Sequence, residues 1–179
     1  MEPSEAVEDL RREFLQAQAA GDAAVDSFFA GLAARPVDPG HLVEFAIRVM
    51  ESFRAEDGFL VAEGCRRILL ARAGPAEGDR VRSIRSALPP LEGALGGRDY
   101  RADWDQLVAL VEGRGRGACD CEIRSSFGPP PHDPAYEIVK ETPSPAGSIY
   151  RVRCRACGKD WEVEVDLSYH YPHAYWRLA

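Results

Sequence analysis

Cys154-Arg155-Ala156-Cys157-Gly158-Lys159, with Cys119-Asp120-Cys121 well upstream of it, decides how the C-terminal third of this chain folds. Two close cysteine pairs separated by strand-rich sequence read as the two knuckles of one tetrahedral zinc site, because thiolates on two tight turns converge on a single ion. Gly158 permits the turn that aims backbone amides at the sulfurs. The spacer in Cys119-x-Cys121 is one residue shorter than usual, so His132, His170 and His173 stand as available substitutes for a sulfur ligand. With Cys119, Cys121, Cys154 and Cys157 as a closed set, no position is left for a reactive water, and the Zn(II) expected there is structural.

Working outward, the 179 residues suffice for one helical core plus a satellite too small to stand without help. A hydrophobic share of 45% with 28% charged residues is that of a globular protein. The acidic opening has no signal-peptide character, and no apolar run is long enough to span a bilayer, so a cytoplasmic location is expected. In a reducing compartment, closely spaced cysteines are better explained by metal than by disulfides. The net charge of −7 argues against nonspecific binding to nucleic acid, whose affinity comes mainly from Lys and Arg neutralising phosphates.

Helical periodicity covers residues 4–20 (Val7, Leu10, Phe14, Ala17), 22–34 (Val25, Phe28, Phe29, Leu32) and about 40–54 (Leu42, Phe45, Val49, Met50, Phe53). It continues over 58–73 and 77–88, and after Pro89-Pro90 and a glycine-rich link it marks a last helix around Trp104, Leu107, Leu110 and Val111, ending near Gly113. Residues 1–113 therefore read as an all-α bundle or a short helical-repeat stack without a repeated signature. Cys65 shares an apolar stripe with Val61, Ile68 and Leu69 and reads as a buried thiol. His41 and Glu44 lack a third ligand, and Asp99, Asp103 and Asp105 read as carboxylates favouring a helix start.

Gly113-Arg-Gly-Arg-Gly117 reads as a polar joint, with 114–118 as linker and 119–179 as a second domain. Beyond it the hydrophobic period shifts to two, predicting strands at 122–127, 136–141, 148–154 and 160–167 and a hairpin loop at 142–147. Tyr150, Val152, Trp161, Val163 and Val165 are expected inside, with Arg151 and Arg153 outside facing Glu162 and Glu164. The order knuckle, three strands, knuckle, strand resembles a zinc ribbon over residues 118–167. The fold class is thus α+β: a helical domain followed by a small zinc-ribbon-like antiparallel module.

The tail Tyr169-His170-Tyr171-Pro172-His173-Ala174-Tyr175-Trp176 is rich in the residue types that interfaces favour, so Tyr169, Tyr171, Tyr175 and Trp176 are candidates for a partner surface. The alternative is that the tail folds back and completes a core. No nucleophile elbow, phosphate loop or open metal motif points to an enzyme. The acidic helical body, the Cys-x-x-Cys-Gly knuckle and the aromatic ending together resemble bacterial immunity-type proteins. That resemblance implies a non-catalytic protein-binding role toward a basic toxin partner. The competing class is a nucleic-acid-associated zinc ribbon contacting its ligand through Arg124, Arg155 and Lys159.

Overall fold

The computed structural model describes residues 4–32, 35–89, 100–168 and 172–179. The glycine-rich link after Pro89, with Asp99, and the tail residues Tyr169, His170 and Tyr171 lie outside the described residues. The chain is α+β and divides into two units, Met1–Glu112 and Gly113–Ala179.

The first unit contains α1 (Glu5–Ala20), α2 (Asp22–Leu32), α3 (Pro39–Glu51), α4 (Gly58–Arg72), α5 (Gly78–Ala87) and most of α6 (Tyr100–Gly115). Local chemistry sets the breaks. Gly21, at φ +98°, closes α1 by donating to the Ala17 and Gln18 carbonyls, a conformation that favours glycine. Asp38 caps α3 by accepting from Gly40 N at 2.8 Å and His41 N at 3.3 Å, with Pro39 in the first helical position. Helix α1 packs on α2 and α3, α2 on α4, and α3 on α4 and α5, so each helix meets its successor or the one after it.

Phe14, Phe28, Phe29 and Phe45 interlock at centroid spacings of 5.4–5.9 Å in the middle of α1, α2 and α3. Gly64 of α4 makes this possible: a Cβ there would come within 2.4 Å of the Phe29 ring. Cys65 is fully buried in the same core, where burial pushes its thiol pKa far up. Between the helices run arginine-carboxylate pairs. Arg80 of α5 spans Glu44 and Glu51 of α3, and Arg82 and Arg85 of α5 reach Glu112 and Asp105 of α6. Glu44 is thus an ion-pair partner of Arg48 and Arg80.

In the second unit, the stretch read as a linker is ordered by its own hydrogen bonds. Helix α6 runs on to Gly115, and Gly117, at φ +75°, lets Ala118 N–H return to the Gly113 carbonyl at 2.9 Å. One expected strand is not one: residues 120–124 form the short helix α7 (Asp120–Arg124), continued by a 3₁₀ turn at Ser125–Phe127. Glu122 accepts the Cys119 N–H at 3.1 Å, a local bond that a strand would forgo, and Arg124 pairs with Asp133 in the next turn.

Four strands follow, β1 (Tyr136–Ser144), β2 (Gly147–Cys154), β3 (Asp160–Asp166) and β4 (His173–Leu178), in one antiparallel sheet ordered β1-β2-β3-β4. A two-residue turn, Pro145-Ala146, joins β1 to β2, and β1 carries a bulge between Ile138 and Lys140. Pairing of Tyr150 with Val163 and Val152 with Trp161 builds the buried face expected from alternation. On the outer face Arg151 opposes Glu162 as expected, yet Arg151 and Arg153 both bond Asp160, while Glu162 turns to Arg177 of β4 at 2.7 Å. The tail from His173 onward is therefore part of the sheet. Trp176 lies opposite Val163, contacts the rings of Tyr136 and Trp161, and donates to the Pro129 carbonyl at 3.0 Å, whereas Tyr175 is exposed.

Candidate metal centre

Cys119 stands at the N-cap of α7 and Cys121 inside its first turn, so one helical turn places both sulfurs on the same side despite the short spacer. Cys154 ends β2, and the turn Arg155-Ala156 carries Cys157 back toward β3. That turn is closed by Gly158 N–H to the Cys154 carbonyl and by Cys154 N–H to the Lys159 carbonyl, both at 2.9 Å, with Gly158 at φ +75°. Arg155 N–H fastens the turn to the Ala135 carbonyl at 3.0 Å. Arg114 grips Asp120 through two hydrogen bonds of 2.6 and 2.9 Å, holding the start of α7.

The result is a cluster in which the four Sγ atoms all lie within 4.8 Å of one another. Cys119 and Cys154 sulfurs are 3.8 Å apart, and those of Cys121 and Cys157 are 3.6 Å apart. Both spacings far exceed an S–S bond of about 2.05 Å. They match the edge of a tetrahedron of sulfurs about 2.3 Å from a central ion, roughly 3.8 Å. The cysteines are free, with Cys121 and Cys154 buried and Cys157 exposed. The donor set is that of a metal site.

The protein environment treats the four sulfurs unequally. Desolvation raises the thiol pKa of Cys119, only partly offset by the Cys121 backbone N–H, and raises that of Cys121 strongly. Desolvation also opposes ionisation of Cys157, but the Lys159 backbone N–H and the neighbouring thiols outweigh it and leave its pKa lowered. Burial of this kind disfavours uncompensated thiolates, which a cation resolves.

Among the described residues no histidine joins the cluster. His132 is exposed and stacks edge-on against Tyr150, 5.2 Å between centroids, and His173 sits on β4 opposite Asp166. His170 lies outside the described residues. Of the basic groups considered as nucleic-acid contacts, Arg124 is engaged by Asp133 and Lys159 by Glu122 at 2.8 Å. Sequence reasoning did not single out Glu122, Asp133 or Tyr136, whose roles depend on contacts between separate turns. No family model matches this chain, and no curated protein or solved structure does so either.

Proposed function

We propose that Cys119, Cys121, Cys154 and Cys157 hold one Zn(II) as a structural clip and that the protein works by binding a protein partner through its exterior. The observation that carries the metal reading is the cluster of four sulfurs, two of whose spacings suit the edges of a zinc-centred tetrahedron and whose four protein ligands would leave no site for a substrate. Physical need supports it: a single small four-stranded sheet supplies only a few kcal/mol of core, whereas structural zinc contributes about 10–16 kcal/mol at neutral pH. Metal quantitation and native mass spectrometry of purified protein test this; a stoichiometry near one Zn(II) per chain is expected, and metal-free folded protein refutes it.

The partner reading rests on charge. The helical residues 1–117 hold acidic groups in excess of arginine, and that net negative charge favours steering toward a basic partner. The immunity-type role, with a basic toxin as ligand, is the sharper form of this reading. Tyr175, exposed on β4, takes the contact role more naturally than Trp176, which is spent on the sheet core. Co-purification with a basic protein encoded beside it, lost in a Tyr175→Ala variant, is the expected result. Tight DNA or RNA binding at physiological salt would instead favour the nucleic-acid class.

A further inference from the structure

Two donors stand beside the sulfurs with nothing to do. Tyr136 lies directly across β1–β2 from Cys154, and Trp161 lies across β2–β3 from Val152, diagonal to Cys154, so both rings share the sheet face that carries the cluster. Tyr136 is 4% exposed and Trp161 8%, and both pack with Cys121 and Cys154 in one buried cluster. Yet the Tyr136 hydroxyl and the Trp161 Nε1 have no hydrogen-bond partner among the described residues. Buried donors in folded proteins are nearly always satisfied. Trp176, on the same face, obeys that rule through Pro129.

The sulfurs of the cluster are among the groups packed with these two rings. Tyr136 lines a cleft of about 400 Å³ together with Cys119, Cys121 and Cys154. The Trp161 indole N–H reaches no acceptor among the described residues, and its ring packs in the same buried cluster as Cys121. Arg124 Nε is also unpartnered, but both terminal nitrogens of that guanidinium are held by Asp133. A thiol sulfur is a weak acceptor, whereas a thiolate accepts strong, charge-assisted hydrogen bonds. Unused donors at this place are therefore matched to the ionised form of the ligands.

Given the zinc reading, on which this rests, we propose that the Trp161 indole and the Tyr136 hydroxyl are positioning donors for the metal-bound thiolates, Trp161 for Cys121 and Tyr136 for the Cys121–Cys154 edge. Each offsets sulfur charge that the ion alone leaves in a buried setting, and together they hold the more buried half of the ligand set in place.

The test uses the full chain, wild type beside Tyr136→Phe and Trp161→Phe, which keep the rings and delete the donors. Zinc transfer to a chromogenic chelator should show affinity lowered about 10–100-fold in each variant, and Co(II)-loaded protein should show a moved sulfur-to-metal charge-transfer band. Variants that bind zinc within about twofold of wild type with an unmoved band would overturn the proposal and reduce both rings to packing. Wild type that takes up no zinc would instead defeat the metal reading beneath it. Should a variant misfold, ¹¹³Cd-loaded wild type decides: scalar coupling from ¹¹³Cd to the Trp161 indole proton supports the bond, and its absence refutes it.

Discussion

Lys159 Nζ lies 2.8 Å from Glu122 Oε1, and the same carboxylate oxygen accepts the Cys119 N–H at 3.1 Å. One half-buried carboxylate thus links the helical cysteine turn to the strand-borne one, and Lys159 holds the Glu122 carboxyl below its ordinary pKa. Glu122→Gln keeps an acceptor for Cys119 and loses the ion pair; Glu122→Ala loses both. Zinc affinity measured by chelator competition should fall more for Glu122→Ala than for Glu122→Gln or Lys159→Met. Equal losses in all three would show that only charge matters.

Replacing Cys121 or Cys154 by Ser should unfold residues 113–179 and leave the first unit intact, because that unit has its own buried core. Chelation should do the same reversibly, and acidification should release the metal by protonating thiolates. Hydrogen exchange resolved along the chain checks this. Protection should vanish across β1–β4 while α3 and α4 keep theirs; uniform loss would refute the independence of the two cores.

Gly64→Ala should destabilise the helical unit by about 1–3 kcal/mol, since the new methyl meets the Phe29 ring at a distance no real contact tolerates. Denaturant unfolding of the wild type and variant measures it. Phe29→Leu in the same chain should recover part of the loss, through a smaller side chain opposite the methyl. An undiminished penalty in the double variant would point to backbone strain instead.

Glu63 of α4 receives Arg66 and Arg67 at 2.8 Å and lies near the Tyr100 hydroxyl of α6. Burial works to raise its pKa, but the two guanidiniums prevail and the folded value is lowered. Glu44, between Arg48 and Arg80, is shifted the same way against the same opposition. A lowered folded pKa means stability that is present above the unfolded value of about 4.3 and is lost as pH falls through the folded one. The thermal stability of the helical unit should therefore fall on acidification below about pH 5. Glu63→Gln should flatten that dependence and cost about 1–3 kcal/mol near neutrality.

The strands on either side of the second knuckle were legible because Tyr150, Val152, Trp161 and Val163 alternate strictly with charged residues, and alternation survives into the folded sheet. The helices of the first unit were legible for the same reason at a different period. What misled was residues 122–127, where Ile123 and Phe127 offer too few apolar positions to fix a period. There the deciding interactions, Glu122 with Lys159 and Arg124 with Asp133, join residues in different turns. The aromatic tail left two readings open because Trp176 is equally suited to an interface and to a core. Its bond to Pro129, distant in sequence, is visible only once the chain is folded. The four sulfurs were readable from spacing alone, but the unspent donors of Tyr136 and Trp161 were not, since satisfaction is a property of surroundings.

Strand β1 is long, exposed and carries Ile138 and Val139 toward solvent, the profile of an edge that invites another chain to pair with it. Its bulge throws Val139 out of step, Lys140 adds a charge beside it, and Pro143 lacks the N–H that an incoming ladder would need. The sheet is thereby self-limiting on that side, so the protein can carry apolar residues along an open border without that border seeding aggregation.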